Sequence, residues 1–368
     1  MTSNNLSTAR TRDFSGICRG NHYPRGSPII AYSLVIKSIN MARKTFLLPL
    51  ILATQAAAQA PTIYLILQKG ASSVAYYSTD GKLQSTVPTG QHPHEMILST
   101  DGRYLYTTDN GTMRVEHPGA GGNSLSIIDV AARRKFADIP LGEYHRPHGI
   151  DLDPATGNLA VTTELPDQLL LVDPAKRTVL KHFATKGKTS HMVKFGLGAQ
   201  WAYVSNGGSS NISAINLKTG EVKLIPTGNR PEGLVLSKDG KELYVCNRES
   251  ASLTVIDTAR NSAIANIPTG EGPVRIALTP DGNTLVYAMM HDKKIGFANP
   301  KTRTQTDYLI LPLQPVSLEL SPDGGHAFAS AEESDIVYVL SVGQKRIIAE
   351  LHTAKGSGPD PVFEISLK

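Results

Sequence analysis

The stretch from Asn229 to Asn247, NRPEGLVLSKDGKELYVCN, returns along the chain in the same order of residue types, and no other feature restricts the fold as much. Each copy opens on a proline or its stand-in, runs through a short apolar segment, turns, and closes on a second apolar run. The openings fall at Pro93, Pro147, Ser190, Pro231, Pro273, Pro315 and Pro361, at intervals of 54, 43, 41, 42, 42 and 46 residues. Asp101-Gly102, Asp239-Gly240, Asp281-Gly282 and Asp323-Gly324 supply the hairpin turns between the two runs. Short β-type runs with glycine turns at a period near 40 predict four-stranded blades in a ring, an all-β propeller of seven blades.

Residues 1–40 are polar and turn-rich, hold no copy of the repeat, and are expected to be a leader that comes either from a misassigned upstream start codon or from an extension that weakens export. From Met41 the pattern changes to Arg43 and Lys44, an apolar run from Phe46 to Ala53, and Ala58-Gln59-Ala60 before Pro61. A basic start, an apolar run too short to span a bilayer and a small-residue cleavage site describe a secretory signal peptide over 41–60. The expected mature domain, 61–368, is then a secreted or periplasmic protein without a membrane span. Of the 37 bases and 32 acids in the chain, residues 1–60 carry seven and one, which leaves 30 against 31. The formal charge of +5 therefore belongs to the leader and gives no ground for a nucleic-acid or membrane-surface partner. Cys18 lies in the leader and Cys246 in an apolar strand, so no internal disulfide is expected and Cys246 reads as a buried, inert thiol. Ile63 to Pro93 aligns without a gap on Leu243 to Pro273, whereas Pro361 to Leu367 match only the first strand of a unit. The N- and C-terminal strands are thus expected to pair in one blade, which closes the ring and removes open edges.

Ala202-Tyr203-Val204-Ser205-Asn206 and Leu243-Tyr244-Val245-Cys246-Asn247, the second runs of two copies, resemble the YVTN family of β-propellers. The resemblance covers the mature chain and implies its fold but not its function, since propellers serve as enzymes, receptors and scaffolds alike.

Function must be sought where the copies differ. One residue after each opening the chain reads His94, His148, His191, Glu232, Val274, Val316 and Val362, polar over four consecutive units and valine over three. Innermost propeller strands start at the mouth of the central channel, so half of the rim is expected to be polar. The residues expected to end the second strands, Asp109, Glu164, Asn206 and Asn247, then Met289 and Ala331, repeat this asymmetry and make the first four candidate substrate-binding groups. The 54-residue interval contains an insertion, Gly111 to Ser124, with Arg114, Glu116, His117 and a glycine-rich run, able to fold over the mouth as a lid.

Imidazoles of His94, His148 and His191 with Glu232 beside them could hold Zn or Cu with an exchangeable position. They could equally act as general acids and bases, or each cap a strand end. Gln91-His92-Pro93-His94-Glu95 and Tyr144-His145-Arg146-Pro147-His148 are similar to the His-x-His opening of lactonase-type seven-bladed propellers, the group of bacterial 6-phosphogluconolactonase and carboxymuconate cyclase. That resemblance implies that His94 and His148 with Glu232 act on an anionic lactone, and that Arg146 or Arg275 meets its carboxylate. No GxSxG elbow, P-loop, CxxC or CxxCH is present. Two classes of function follow: a secreted enzyme acting on a small molecule at the channel mouth by hydrolysis, ring opening or isomerisation, or a non-catalytic extracytoplasmic propeller binding an extracellular protein, a glycan or a metal.

Overall fold

The structure is a computed structural model that describes residues 61–367; the expected leader at 1–40 and signal peptide at 41–60 lie outside the described residues. The apolar runs form strands in seven four-stranded antiparallel sheets, each laid out from the channel to the rim. Blade 1 takes its innermost strand, Pro359–Ser366, from the C-terminus and the other three, Thr62–Gln68, Ser73–Ser78 and Leu83–Pro88, from the start of the domain. Thr62 pairs with Ser366 and Ile66 with Val362, which closes the ring in the expected way. Blades 2 to 7 follow with innermost strands Pro93–Leu98, His145–Leu152, Ser190–Phe195, Pro231–Leu236, Pro273–Leu278 and Glu319–Leu320. The fold is a seven-bladed β-propeller. Among the described residues no helix is long and apolar enough to cross a membrane.

Local chemistry explains the hairpins. Gly102, Gly240, Gly282 and Gly324 take φ values of 68 to 75°, a region glycine enters without strain. The hydroxyl two residues before each aspartate, on Ser99, Ser237, Thr279 or Ser321, donates to its carboxylate at 2.6 to 2.8 Å. Packing then joins the blades, with one apolar cluster for each of the seven pairs of neighbours. The repeat's aromatic position, Tyr106, Tyr203, Tyr244 or Phe328, is buried in these interfaces. Cys246 is free and buried among them, and burial raises its thiol above the ordinary value.

Each complete innermost strand carries a β-bulge just past its opening residue. Pro231 pairs with Asn247 but Leu234 with Val245, and Pro93 pairs with Asp109 but Met96 with Thr107. Superposing the blades on this bulge corrects two expectations. In blade 1 it is Pro359 that pairs with Gln68, so the opening is Pro359 rather than Pro361. The rim residue is therefore Asp360, and Val362 belongs to the apolar cluster between blades 7 and 1. In blade 3 Pro147 pairs with Thr163, so Thr163 holds the place of Asp109, and Glu164 stands one residue further along. Even spacing points to both corrected residues: the opening lies 16 residues before the end of the second strand in Pro93–Asp109, Ser190–Asn206 and Pro231–Asn247, which gives Thr163 after Pro147, and Pro359 lies nearer the 42-residue period than Pro361.

Candidate functional site

The bulges sit where the rim residues sit, and hydroxyls of the second strands fasten them. Thr108 Oγ1 accepts the Glu95 N–H at 3.0 Å and donates to the His148 carbonyl of the next blade at 2.7 Å. Thr162 makes the same pair of contacts with the Gly149 N–H and the His191 carbonyl, and Ser330 donates to the Asp360 carbonyl. The repeat's hydroxyl position therefore joins blade to blade at the channel mouth. A cavity of about 520 Å³ opens there, lined by His94, His148, His191, Glu232, Arg275 and Asp360 among others.

Three imidazoles form one buried group. His94 Nε2 lies 2.7 Å from the Thr112 carbonyl oxygen and so donates to it. In the neutral ring Nδ1 then accepts, and His148 Nε2 at 3.3 Å is the donor. His148 Nδ1 faces Glu164 Oε1 at 2.8 Å. The row thus runs from Glu164 through His148 and His94 to the Thr112 carbonyl. His191 packs on His148 with ring centroids 3.9 Å apart and planes tilted by 42°, and its buried Nδ1 has no hydrogen-bond partner. Burial, then His148 and Arg275, hold His191 well below the usual imidazole value of 6.5. Burial, then Lys69 and His148, do the same for His94.

Charged groups complete the mouth. Arg230 Nε and Arg248 Nη1 both meet Glu232 Oε1 at 3.1 Å, and Arg275 Nη1 lies 3.9 Å from its Oε2. Arg275 also donates to Glu95 at 2.7 Å. Across the ring Lys69 lies 2.7 Å from Asp360 and 2.9 Å from Glu332. Burial works against its charge, yet Asp360 and Glu332 hold it above the ordinary lysine value. Lys194 of blade 4 pairs with Asp151 of blade 3 at 2.9 Å, and Asp151 above all holds it above the ordinary lysine value. Burial first, and then Glu95, raises Glu319 to about 7.

The insertion after Asp109 forms a strap over this cavity, which Met113 to Glu116 line from above. Arg114 pairs with Glu333 of blade 7 and Glu116 with Arg230 before blade 5, so a loop from blade 2 spans the mouth. Arg146 ties the neck of the strap: its Nη2 donates to Thr112 Oγ1 and to the Arg114 and Val115 carbonyls, while its Nε lies 3.0 Å from Glu164 Oε2. Gly122 closes the neck, since a Cβ there would lie 2.1 Å from the Asp109 carbonyl oxygen.

The structure brings His94, His148, His191, Glu232 and Arg275 onto one cavity. Asp109, Asn206 and Asn247 are not at the mouth: they are buried in their own blades, where Ser126 donates to Asp109, and Asn206 and Asn247 donate to Ser213 and Thr254. Strand alternation is the reason, because the next residue along, Lys69, Arg248 or Glu332 in its blade, faces the cavity instead. Arg146 serves the strap and Glu164 the histidine row. The Zn or Cu arrangement expected of His94, His148, His191 and Glu232 is not formed. The nitrogens of His94 point at His148 and Thr112, Glu232 is held by arginines, and among the described residues no group of three or more His, Cys, Asp or Glu could hold a metal ion. Lys69, Arg230, Arg248, Glu332 and Asp360 escaped the sequence reading. Moving its second register by one residue would have found two of them, Arg248 and Glu332.

No protein-family profile matches the chain. It is similar to the uncharacterized protein YncE of Salmonella typhimurium, 28% identical over 183 residues that make up 48% of this chain and 49% of that one. It is also similar to hydrazine synthase subunit beta of Kuenenia stuttgartiensis, 29% identical over 175 residues, 45% of this chain and 41% of that one. The chain spans about half the length of the curated relatives it matches. Among solved structures, Kuenenia stuttgartiensis hydrazine synthase superposes with a TM-score of 0.64 at 19% identity, covering 76% of this chain and 92% of that one. A functionally unknown protein from Desulfotomaculum acetoxidans gives 0.68 at 14% identity, covering 82% and 98%. Dihydro-heme d1 dehydrogenase NirN in complex with DHE gives 0.60 at 14%, covering 82% and 74%. At such identities the likeness to these structures concerns the fold alone.

Proposed function

We propose that this protein is an exported propeller enzyme that binds a small carboxylate-bearing molecule beneath the strap and acts on it by proton transfer, as in lactone hydrolysis or a related ring opening or isomerisation. The observation that carries this reading is the buried row of Glu164, His148 and His94 beside an unpartnered His191, on a cavity of about 520 Å³. In lactone hydrolysis water adds to the carbonyl carbon and passes its proton to His191, while Arg275 stabilises the oxyanion. Collapse breaks the ring C–O bond, and His191 returns the proton to the leaving alkoxide to give a hydroxy acid. His148, its own hydrogen bonds fixed by Glu164 and His94, positions His191 by close ring contact. Export rests on the signal-peptide pattern over 41–60.

A lactone and ester screen of the mature domain tests this. His191→Ala is expected to lower kcat/KM by about 10²-fold or more with little change in melting temperature. Because His191 is held below 6.5, it stays neutral through that pH, so the acid limb of kcat/KM should lie well under 6.5. Full turnover by His191→Ala, or an acid limb above 6.5, overturns the assignment. One observation favours the second reading, a mouth that binds a protein, glycan or small ligand without turnover: all four ring nitrogens of His94 and His148 are already committed within the protein. Saturable binding without any turnover would establish it.

A further inference from the structure

We propose that Arg230 and Arg248 form a carboxylate subsite which the strap's own Glu116 fills as an internal stand-in, and that the ligand's carboxylate enters by displacing it; this rests on the reading of the mouth as a small-molecule site. The arginines of the mouth differ in how firmly they are held. Arg275 is buried against Glu95, and Arg146 is buried against Glu164 and the strap carbonyls. Arg230 is 32% exposed, and Glu116, which takes its Nη2 at 2.9 Å, is 61% exposed. Arg230 and Arg248 share the single oxygen Glu232 Oε1, and Glu116 takes the Nη2 of Arg230 from the cavity side. Glu249, 54% exposed, meets the other terminal nitrogen of Arg230, Nη1, at the longer distance of 3.4 Å.

The strap is built to let this contact go. Its neck is fixed by buried bonds from Arg146, whereas its tip is held by two pairs at the surface, Arg114 with Glu333 and Glu116 with Arg230. Exposed ion pairs hold weakly and exchange partners readily. A ligand carboxylate reproduces the chemistry of Glu116 at the arginines and frees the tip to rise. A neutral ligand has nothing with which to replace it, so the strap selects for anions.

The test titrates the full chain with succinate, with succinamide as the neutral control, by calorimetry and by hydrogen exchange of the strap. Succinate should bind and succinamide should not, E116Q should tighten succinate by up to about fivefold, the worth of one exposed ion pair, and R230Q should weaken it by tenfold or more. Succinate should also speed exchange over residues 113–118 in the parent protein but not in E116Q. Binding that E116Q leaves unchanged or weakens, or a strap that exchanges more slowly with succinate, overturns the stand-in while leaving the small-molecule reading intact. Succinate binding to neither protein overturns both.

Discussion

Asp109 holds in blade 2 the place that Asn206 and Asn247 hold in blades 4 and 5, and in each case the partner is the hydroxyl residue three places into the next strand, Ser126, Ser213 or Thr254. Asp109 alone of the three carries a charge. Burial lifts its carboxyl to about 6, against the hydrogen bonds from Ser126, Ser124 and Thr107 that favour the charged form. A folded value above the unfolded 3.8 stabilises the fold fully only below 3.8, and that contribution is lost as pH rises through about 6. Asp109→Asn copies the sister blades and is expected to raise stability by about 1–3 kcal/mol at pH 7.5, with the gain fading toward pH 4. Denaturant unfolding at the two pH values measures this, and an equal effect at both would refute it. The residue type was plain in the sequence; its direction was not, because alternation turned it into the sheet.

At the scale of the element, the bulge with its hydroxyl latch decides where the histidines point. Thr162 accepts one backbone N–H and donates to one backbone carbonyl, both buried, and the carbonyl belongs to His191. Thr162→Val keeps the shape and orphans both groups, at a cost of about 2 kcal/mol. Because the displaced carbonyl is that of a proposed active-site residue, turnover should fall by more than the stability loss alone predicts, and rescue by Thr162→Ser would separate the latch from packing. Spacing located most of the openings to the residue, yet the expected opening fell at Pro361 rather than Pro359 and the expected strand end at Glu164 rather than Thr163. An even count reaches Thr163, 16 residues after Pro147 as Asn247 is after Pro231, and the second proline of Pro359-Asp360-Pro361 drew the opening past its place.

For the molecule as a whole, closure is carried by a single strand. Pro359–Ser366 pairs with Thr62–Gln68, contributes Val362 to an apolar interface, and brings Asp360 to Lys69. A chain ending at Gly358 would leave blade 1 with three strands and open the ring along that edge. It is expected to lose cooperative unfolding, and a peptide of residues 359–367 added in trans should restore part of it. A truncated chain that melts like the parent would show that the ring does not need this closure.

Strand order, blade number, the joining of the termini and a polar half-rim were written in the sequence, because alternation, turn residues and repeat period are local properties that survive in a linear text. The polar half-rim came with His94, His148, His191 and Glu232 already named. The pairing of Glu116 with Arg230 across 114 residues, and of Lys69 with Glu332 across 263, was decided by the closed ring alone. Local pattern sets which residues reach the axis; only the angular order of the blades and the path of the strap determine which charges meet there.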